Sequence, residues 1–256
     1  MSKSILSSVV RALSILRLFN QKRKELSFTE IVRLTDIPKS SAHRLINSLI
    51  NEGFLTQNPR TNHYRLGLDI LGLGGVVYSR HKLYREAMPL VKELSEELEE
   101  SVHICYLENE EVTYLFRVES HHPDRLVTQI GRKNPIHCTS EGLCILAYQN
   151  DRKIQKVLQS HLYPYTDRTL ITRAALFKEF QNIRKNGYCI AEETYFKKYT
   201  GIAAPIRNHM GEVVSSLSTI GRTSRFHERD IHAVADKIKD YAQKISEYLG
   251  CYEYIL

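Results

Sequence analysis

No run of apolar residues in the 256-residue chain approaches the ~20 needed to cross a bilayer as a helix. The opening stretch MSKSILSSVVRALSILRLFN has apolar residues at helical spacing, but Arg11 and Arg17 interrupt them. A secretory leader needs an unbroken apolar core and a small-residue cleavage site. The expectation is therefore a cytoplasmic protein with no membrane partner. Cysteine is sparse as well: Cys105, Cys138, Cys144, Cys189 and Cys251 form no CxxC pair and no dense framework. That argues against a disulfide scaffold and for reduced thiols that fill a core or line a pocket.

Charge is present but unevenly placed. The net charge is +7, yet residues 1–82 hold 13 Lys and Arg against five acids, while the remainder holds 23 against 24. All of the excess positive charge sits in the first third, as expected for a nucleic-acid-binding module joined to a near-neutral domain.

The pattern in that third is specific. Val9, Ala12, Leu13, Leu16 and Phe19 fall on one helical face. Ser27-Phe-Thr-Glu30 has capping-box spacing and opens a short helix expected to bury Ile31 and Leu34. Pro38 then precedes a third helix over residues 39–51, with Ala42, Leu45, Ile46 and Leu49 turned inward. Its outer face carries Lys39, Ser40, Ser41, His43, Arg44 and Asn47, a row of donors suited to a major groove. The early Lys and Ser residues suit phosphates near a helix N-terminus; His43, Arg44 and Asn47 suit base edges. Two short strands around residues 58–62 make a hairpin placed as a wing, with Arg60 and Arg65 as phosphate contacts. Ser27 completes the expected DNA-binding set.

The segments Val9-Val-Arg-Ala-Leu-Ser-Ile-Leu, Leu26-Ser-Phe-Thr-Glu-Ile, Ile37-Pro-Lys-Ser-Ser-Ala-His-Arg-Leu and Tyr64-Arg-Leu-Gly67 resemble the isocitrate-lyase-regulator (IclR) family. Farther on, Ile183-Arg-Lys-Asn-Gly-Tyr188, Glu192-Glu193, Gly201-Ile-Ala-Ala-Pro-Ile206, Gly211-Glu-Val-Val and Leu217-Ser218 look like its effector-domain signature. The resemblance spans almost the whole chain in order. It implies a GAF-like effector domain, homodimers or homotetramers, and control of a catabolic operon by a small carboxylate. Keto, sugar-derived and aromatic acids are the expected classes.

The expected fold class is α+β. A winged helix-turn-helix (1–67) and a linker helix (68–82) precede an effector domain (83–256) with an antiparallel sheet flanked by helices. Leu68, Leu71, Leu73, Val76 and Val77 make the linker apolar, although Gly72, Gly74 and Gly75 weaken a helix there. Leu83, Ala87, Leu90, Val91, Leu94 and Leu98 predict a firmer helix. Strands are expected over 102–107, 112–118, 126–130, 189–192, 202–206 and 213–220, and helices over 139–149, from Thr172 to about Gly187, and over 231–245.

By resemblance, the effector pocket draws on His137, Thr139, Ser140, Glu141 and Gly142, with Glu192, Gly201, Ile202, Ser218 and Ile220 opposite. Backbone N–H groups near Thr139 are expected to face a carboxylate. The chain departs from the family pattern in three places. Ser140-Glu141 stands where a small pair is common, Gly201 stands where a cysteine is frequent, and the loop 194–200 gains Lys197 and Lys198 in place of its usual glycine. Two enzyme-like readings are available. His137-Cys138 could be a base beside a thiol nucleophile, and His121-His122 with His137, Cys138 and Cys144 could hold zinc, but neither has a third orienting group or a standard spacing. The expectation is a regulator that binds operator DNA and a small acid, with no catalytic residue, metal or cofactor. Its rivals are an acid-processing enzyme with an accessory nucleic-acid domain and a pure protein-interaction module.

Overall fold

A computed structural model describes residues 6–20, 23–80, 82–108, 111–120 and 130–252, with only the backbone of 77–80 and 82–84. The chain divides into two units, Met1–His81 and Lys82–Leu256.

In the first unit, α1 (Ser7–Leu16), α2 (Phe28–Thr35) and α3 (Lys39–Asn51) are followed by strands β1 (Leu55–Gln57) and β2 (Tyr64–Leu66) and then α4 (Asp69–Arg80). Ser27 caps α2 through a full capping box with Glu30. Asp36 ends α2 in the left-handed conformation (φ 54°), and Pro38 supplies the extended residue before α3. The hairpin pairs Leu55 with Leu66 and Gln57 with Tyr64, and its base is tied back by a bridge between Leu26 and Tyr64. Ile15, Phe19, Leu26, Ile31, Ile37, Ala42, Ile46, Leu55 and Tyr64 form the core.

Two expectations are corrected here. On α1 it is Ile15 that is fully buried, whereas Val9 and Leu13 are exposed together with Leu6 and Val10. The helix has more apolar residues than one face can bury, so periodicity alone does not choose the face. On α2, Leu34 is 41% exposed and only Ile31 is fully enclosed. The linker is helical despite its three glycines, and Leu68, Leu71, Leu73 and Val76 all stand exposed; the side chain of Val77 lies outside the described residues.

The second unit opens with α5 (Lys82–Leu98), which buries Ala87, Val91, Leu94 and Leu98; the side chain of Leu83 is outside the described set, and Leu90 is half-buried. Strands β3 (Val102–Glu108), β4 (Glu111–Val118) and β5 (Lys133–Pro135) precede α6 (Ser140–Leu146), α7 (Asp151–Gln159) and α8 (Arg173–Asn186). Then come β6 (Cys189–Glu192), β7 (Tyr199–Arg207), β8 (Val213–Arg222), α9 (Thr223–His227) and α10 (Ile231–Tyr248). The six strands make one antiparallel sheet in the order β5-β4-β3-β8-β7-β6.

Because successive strand residues point to opposite faces, the sheet builds two cores. α5 and α10 pack on one face. α6 and α8 close the other, with Leu143, Cys144, Leu176, Phe180 and Ile183 packed on Cys105, Tyr114, Ala191 and Ala203. The helix expected over 139–149 is shorter, ending at Leu146, and α7 follows as a separate element capped by Asn150. The strand expected over 126–130 falls outside the described residues except for Ile130, which lies in a turn.

Candidate functional site

The first unit presents its polar residues outward. Lys39, Ser40, His43, Arg44 and Asn47 are exposed along α3, with Ser41 half-buried beside them. Their side is fixed by Ala42 and Ile46, which are driven into the core on the opposite side of the helix. The amide of Asn47 donates to His43 Nδ1 at 3.3 Å, which leaves His43 Nε2 as an outward donor. The His43 ring rests edge-on against Phe28, so its direction is set from below. Arg60 and Arg65 are exposed on the hairpin, one in the turn and one on β2. The turn is shaped by Asn58, whose side-chain oxygen accepts from the N–H groups of Arg60 and Thr61.

Ser27 stands apart from this set. Its hydroxyl donates to Glu30 Oε2 at 2.8 Å and accepts from the Glu30 N–H, while its own N–H donates to the same carboxylate. These bonds hold the Glu30 carboxyl below its usual range, the backbone donor foremost. The side chain is committed to the cap.

In the second unit a cavity of about 40 Å³ opens between the start of α6, the sheet, and the loop between β6 and β7. Five of the anticipated residues line it: Thr139, Ser140, Glu141, Gly201 and Ile220. Its floor is a carboxylate. Glu141 is 1% exposed, and it accepts from Tyr114 Oη at 2.6 Å and from Ser140 Oγ at 2.8 Å. Burial, with the Glu141 charge next, pushes the Tyr114 phenol well above its ordinary pKa, so it stays a donor. Gly201 makes the arrangement possible, because a Cβ there would lie 2.4 Å from Ser140 Oγ.

The other anticipated residues lie elsewhere. Ile202 is the next residue along β7 and so faces the opposite side of the sheet. Ser218 shares a face with Ile220 but is fully buried, paired in register with His103. Gly142 is a packing position, since a Cβ would lie 2.3 Å from the Ile136 carbonyl oxygen. Glu192 bonds Arg168 and His227 on the outer side. His137 turns its Nε2 to the Tyr163 carbonyl at 3.1 Å. One backbone donor at this helix start is used within it, as the Gly142 N–H donates to Thr139 Oγ1.

Of the remaining walls, the sequence points only to Cys138 and, through its lysines, to the loop 194–200. Tyr114 and Asn134 come from β4 and β5, Ala191 from β6, and Thr194, Tyr195, Phe196 and Tyr199 from the covering loop and the start of β7. That loop is pinned: Thr194 donates to the Cys138 carbonyl, while Thr166 and Thr169 donate to the carbonyls of Glu193 and Thr194. The signal in its sequence was aromatic rather than cationic. Lys197 pairs with Asp167 at 3.0 Å on the surface, Lys198 is exposed, and neither lines the cavity.

The thiol-nucleophile reading meets a physical obstacle. Burial first, and the Glu141 charge second, push the Cys138 thiol well above its ordinary range, the reverse of what an attacking thiolate needs. For zinc, His121 and His122 lie outside the described residues. Among the described residues, no cluster of three or more His, Cys, Asp or Glu side chains could hold a metal. No helix of the described residues is long and apolar enough to cross a membrane.

Comparison with known proteins agrees along the whole chain. Residues 8–59 match the IclR helix-turn-helix domain, and residues 76–247 match the bacterial transcriptional regulator IclR C-terminal domain. The HTH-type transcriptional regulator XynR of Escherichia coli is 30% identical over 96% of this chain and 98% of its own. The HTH-type transcriptional regulator KipR of Bacillus subtilis is 31% identical over 95% and 97%. Among solved structures, an IclR homologue from Microbacterium hydrocarbonoxydans complexed with 4-hydroxybenzoate superposes with TM-score 0.84 at 25% identity, over 95% of this chain and 99% of that one. Thermotoga maritima IclR gives 0.82, also at 25% identity and over the same shares. The chain belongs to the IclR family, and it is a DNA-binding transcriptional regulator rather than an enzyme.

Proposed function

We propose that the chain represses a catabolic operon in the cytoplasm and releases it when a small organic acid of the keto, sugar-derived or aromatic class occupies the cavity beneath residues 194–199. Residues 1–67 read the operator, 68–82 connect, and 83–256 serve as a GAF-like sensor. Lys39, Ser40 and Ser41 with Arg60 and Arg65 hold phosphates, while His43, Arg44 and Asn47 face base edges. Ser27 contributes by fixing α2, on which the orientation of α3 depends.

A regulator of this shape works as a dimer or a pair of dimers, so that two copies of α3 meet successive half-sites one helical turn apart. Support comes from the uncovered apolar faces of the first unit: Val9, Val10 and Leu13 on α1 with Leu6 just ahead of it, and Leu71 and Val76 on α4 with Leu68 just ahead of it. Such faces are costly to leave in water, and a second copy of the same unit would cover them.

The observation that carries the reading is the exposed row of donors on α3, backed by a core that allows the helix no other rotation. The test is a titration of promoter DNA with and without a panel of small carboxylates. An effector is expected to change operator affinity by about 5- to 150-fold, the usual range of allosteric coupling. Arg44→Ala is expected to remove operator binding and leave ligand-induced thermal shifts intact. Unchanged operator binding in that variant would contradict the placement of α3.

A further inference from the structure

The cavity in the second unit carries a feature that a general acid-binding site would not. Among the described residues, its one charged lining group is negative. Glu141 is almost fully enclosed, and the two donors nearest to it, Tyr114 and Ser140, are lining residues as well. Among the described residues no lysine, arginine or histidine lines the space, and Lys197 is engaged with Asp167 on the surface. A ligand carboxylate set against Glu141 would meet a like charge with no counter-ion among the described lining residues, in surroundings where charges interact far more strongly than in water. A carboxylate has about four acceptor positions; Tyr114 and Ser140 take two of them, and the Cys105 thiol, 4.0 Å from Oε1, is a weak third donor.

We infer that Glu141 is the specificity-determining residue of this cavity and selects small ligands that present a hydroxyl donor to it, with any carboxylate of the ligand held away from α6. This rests on the reading of the cavity as the effector site, and it divides the expected acids. Hydroxylated ones, sugar-derived or phenolic, can satisfy Glu141; acids lacking a donor leave its remaining acceptor capacity buried and unpaired. The unusual residues at 140, 141 and 201 then have one explanation. Ser140 steadies Glu141, and Gly201 leaves the room that Ser140 needs, since a side chain there would meet Ser140 Oγ. The aromatic walls from Tyr195, Phe196 and Tyr199 add apolar faces for the body of the ligand.

The experiment uses the full chain and matched ligand pairs that share a carboxylate and differ in the donor: lactate against pyruvate, and 4-hydroxybenzoate against benzoate. Each is titrated calorimetrically into the wild type, Glu141→Gln and a cavity-blocking Ala191→Phe. The hydroxylated member is expected to bind the wild type 10- to 100-fold more tightly, as for a hydrogen bond to a charged group. That preference should fall to within about threefold in Glu141→Gln, and Ala191→Phe should lose binding of both members. A preference that persists in Glu141→Gln, with binding lost in Ala191→Phe, overturns the role of Glu141 and leaves the effector site standing. Binding that persists unchanged in Ala191→Phe overturns the site itself. Crystals of the wild type soaked with 4-hydroxybenzoate give a check that needs no variant. The phenolic oxygen is expected within hydrogen-bonding distance of Glu141, and a carboxylate there would overturn the inference.

Discussion

The two units solve opposite problems with their polar residues. The first keeps them outside: Lys39, His43, Arg44, Asn47, Arg60 and Arg65 are all solvent-facing, and the core beneath is almost purely apolar. The second takes polar residues in. His103, Glu141, Ser140, Ser216 and Ser218 are each essentially inaccessible, held among strands and helices that shield them from water. A surface that meets a polyanion gains from exposed, hydrated cations that exchange with counter-ions. A pocket that must distinguish small molecules gains from groups already stripped of water, because a buried donor or acceptor left unpaired is costly. On the proposed reading, the contrast makes recognition long-range and salt-sensitive in the first unit, and short-range and chemically exacting in the second.

The largest effect that can sharpen the comparison is the response of each unit to acid. Burial, with the Arg117 charge second, pulls the His103 imidazole down to about 3 from an ordinary 6.5. Between those values the unfolded chain binds a proton that the folded one refuses, so the unfolded state gains as the pH falls. The contribution of His103 is complete above about pH 6.5 and drains toward pH 3, by roughly 5 kcal/mol at ~1.4 kcal/mol per unit. Chemical denaturation at stepped pH is expected to show the second unit losing stability through this window and His103→Asn losing less over the same steps. Equal losses in both proteins would mean that other groups control the acid response.

A smaller effect tests the first unit. Ser27→Ala removes the side-chain half of the capping box, leaving the backbone N–H of residue 27 to the Glu30 carboxylate, and is expected to cost about 1 kcal/mol. The loss should appear in the melting of the first unit, while ligand binding by the second is unchanged. Were Ser27 instead a direct phosphate contact, the same variant would weaken DNA binding and leave melting where it was.

How much could be read from the sequence follows the same divide. The residues of α3 that face solvent are contiguous in the chain and spaced by helical geometry, so the pattern Lys39-Ser-Ser-Ala-His-Arg-Leu-Ile-Asn shows which side is which. The face of α1 was less legible. With Val9, Val10, Leu13, Ile15 and Leu16 all apolar, only packing against Ile31 and Ile46 decides that Ile15 is the anchor. The cavity was half legible. Thr139, Ser140 and Glu141 are consecutive and Gly201 and Ile220 lie opposite one another in the strand register, but Tyr114 and Asn134 reach the same space from strands far away in sequence. Ile202 was placed one residue off because strand alternation sends it to the other face. The role of Glu141 depends on Tyr114 and Gly201 together, and no local pattern brings those residues together.

The central claim is that exposed cations of the first unit hold a duplex through its phosphates, with Arg44 reading bases between them. The most direct measurement is the affinity of the full chain for its own promoter fragment across a salt series, for the wild type and for Arg60→Ala combined with Arg65→Ala. The account predicts that log affinity falls linearly with log salt, and that the double variant lowers the slope by about 2 per unit bound, one for each phosphate contact removed. A slope near zero in the wild type, or one that the double variant leaves unchanged, would contradict it.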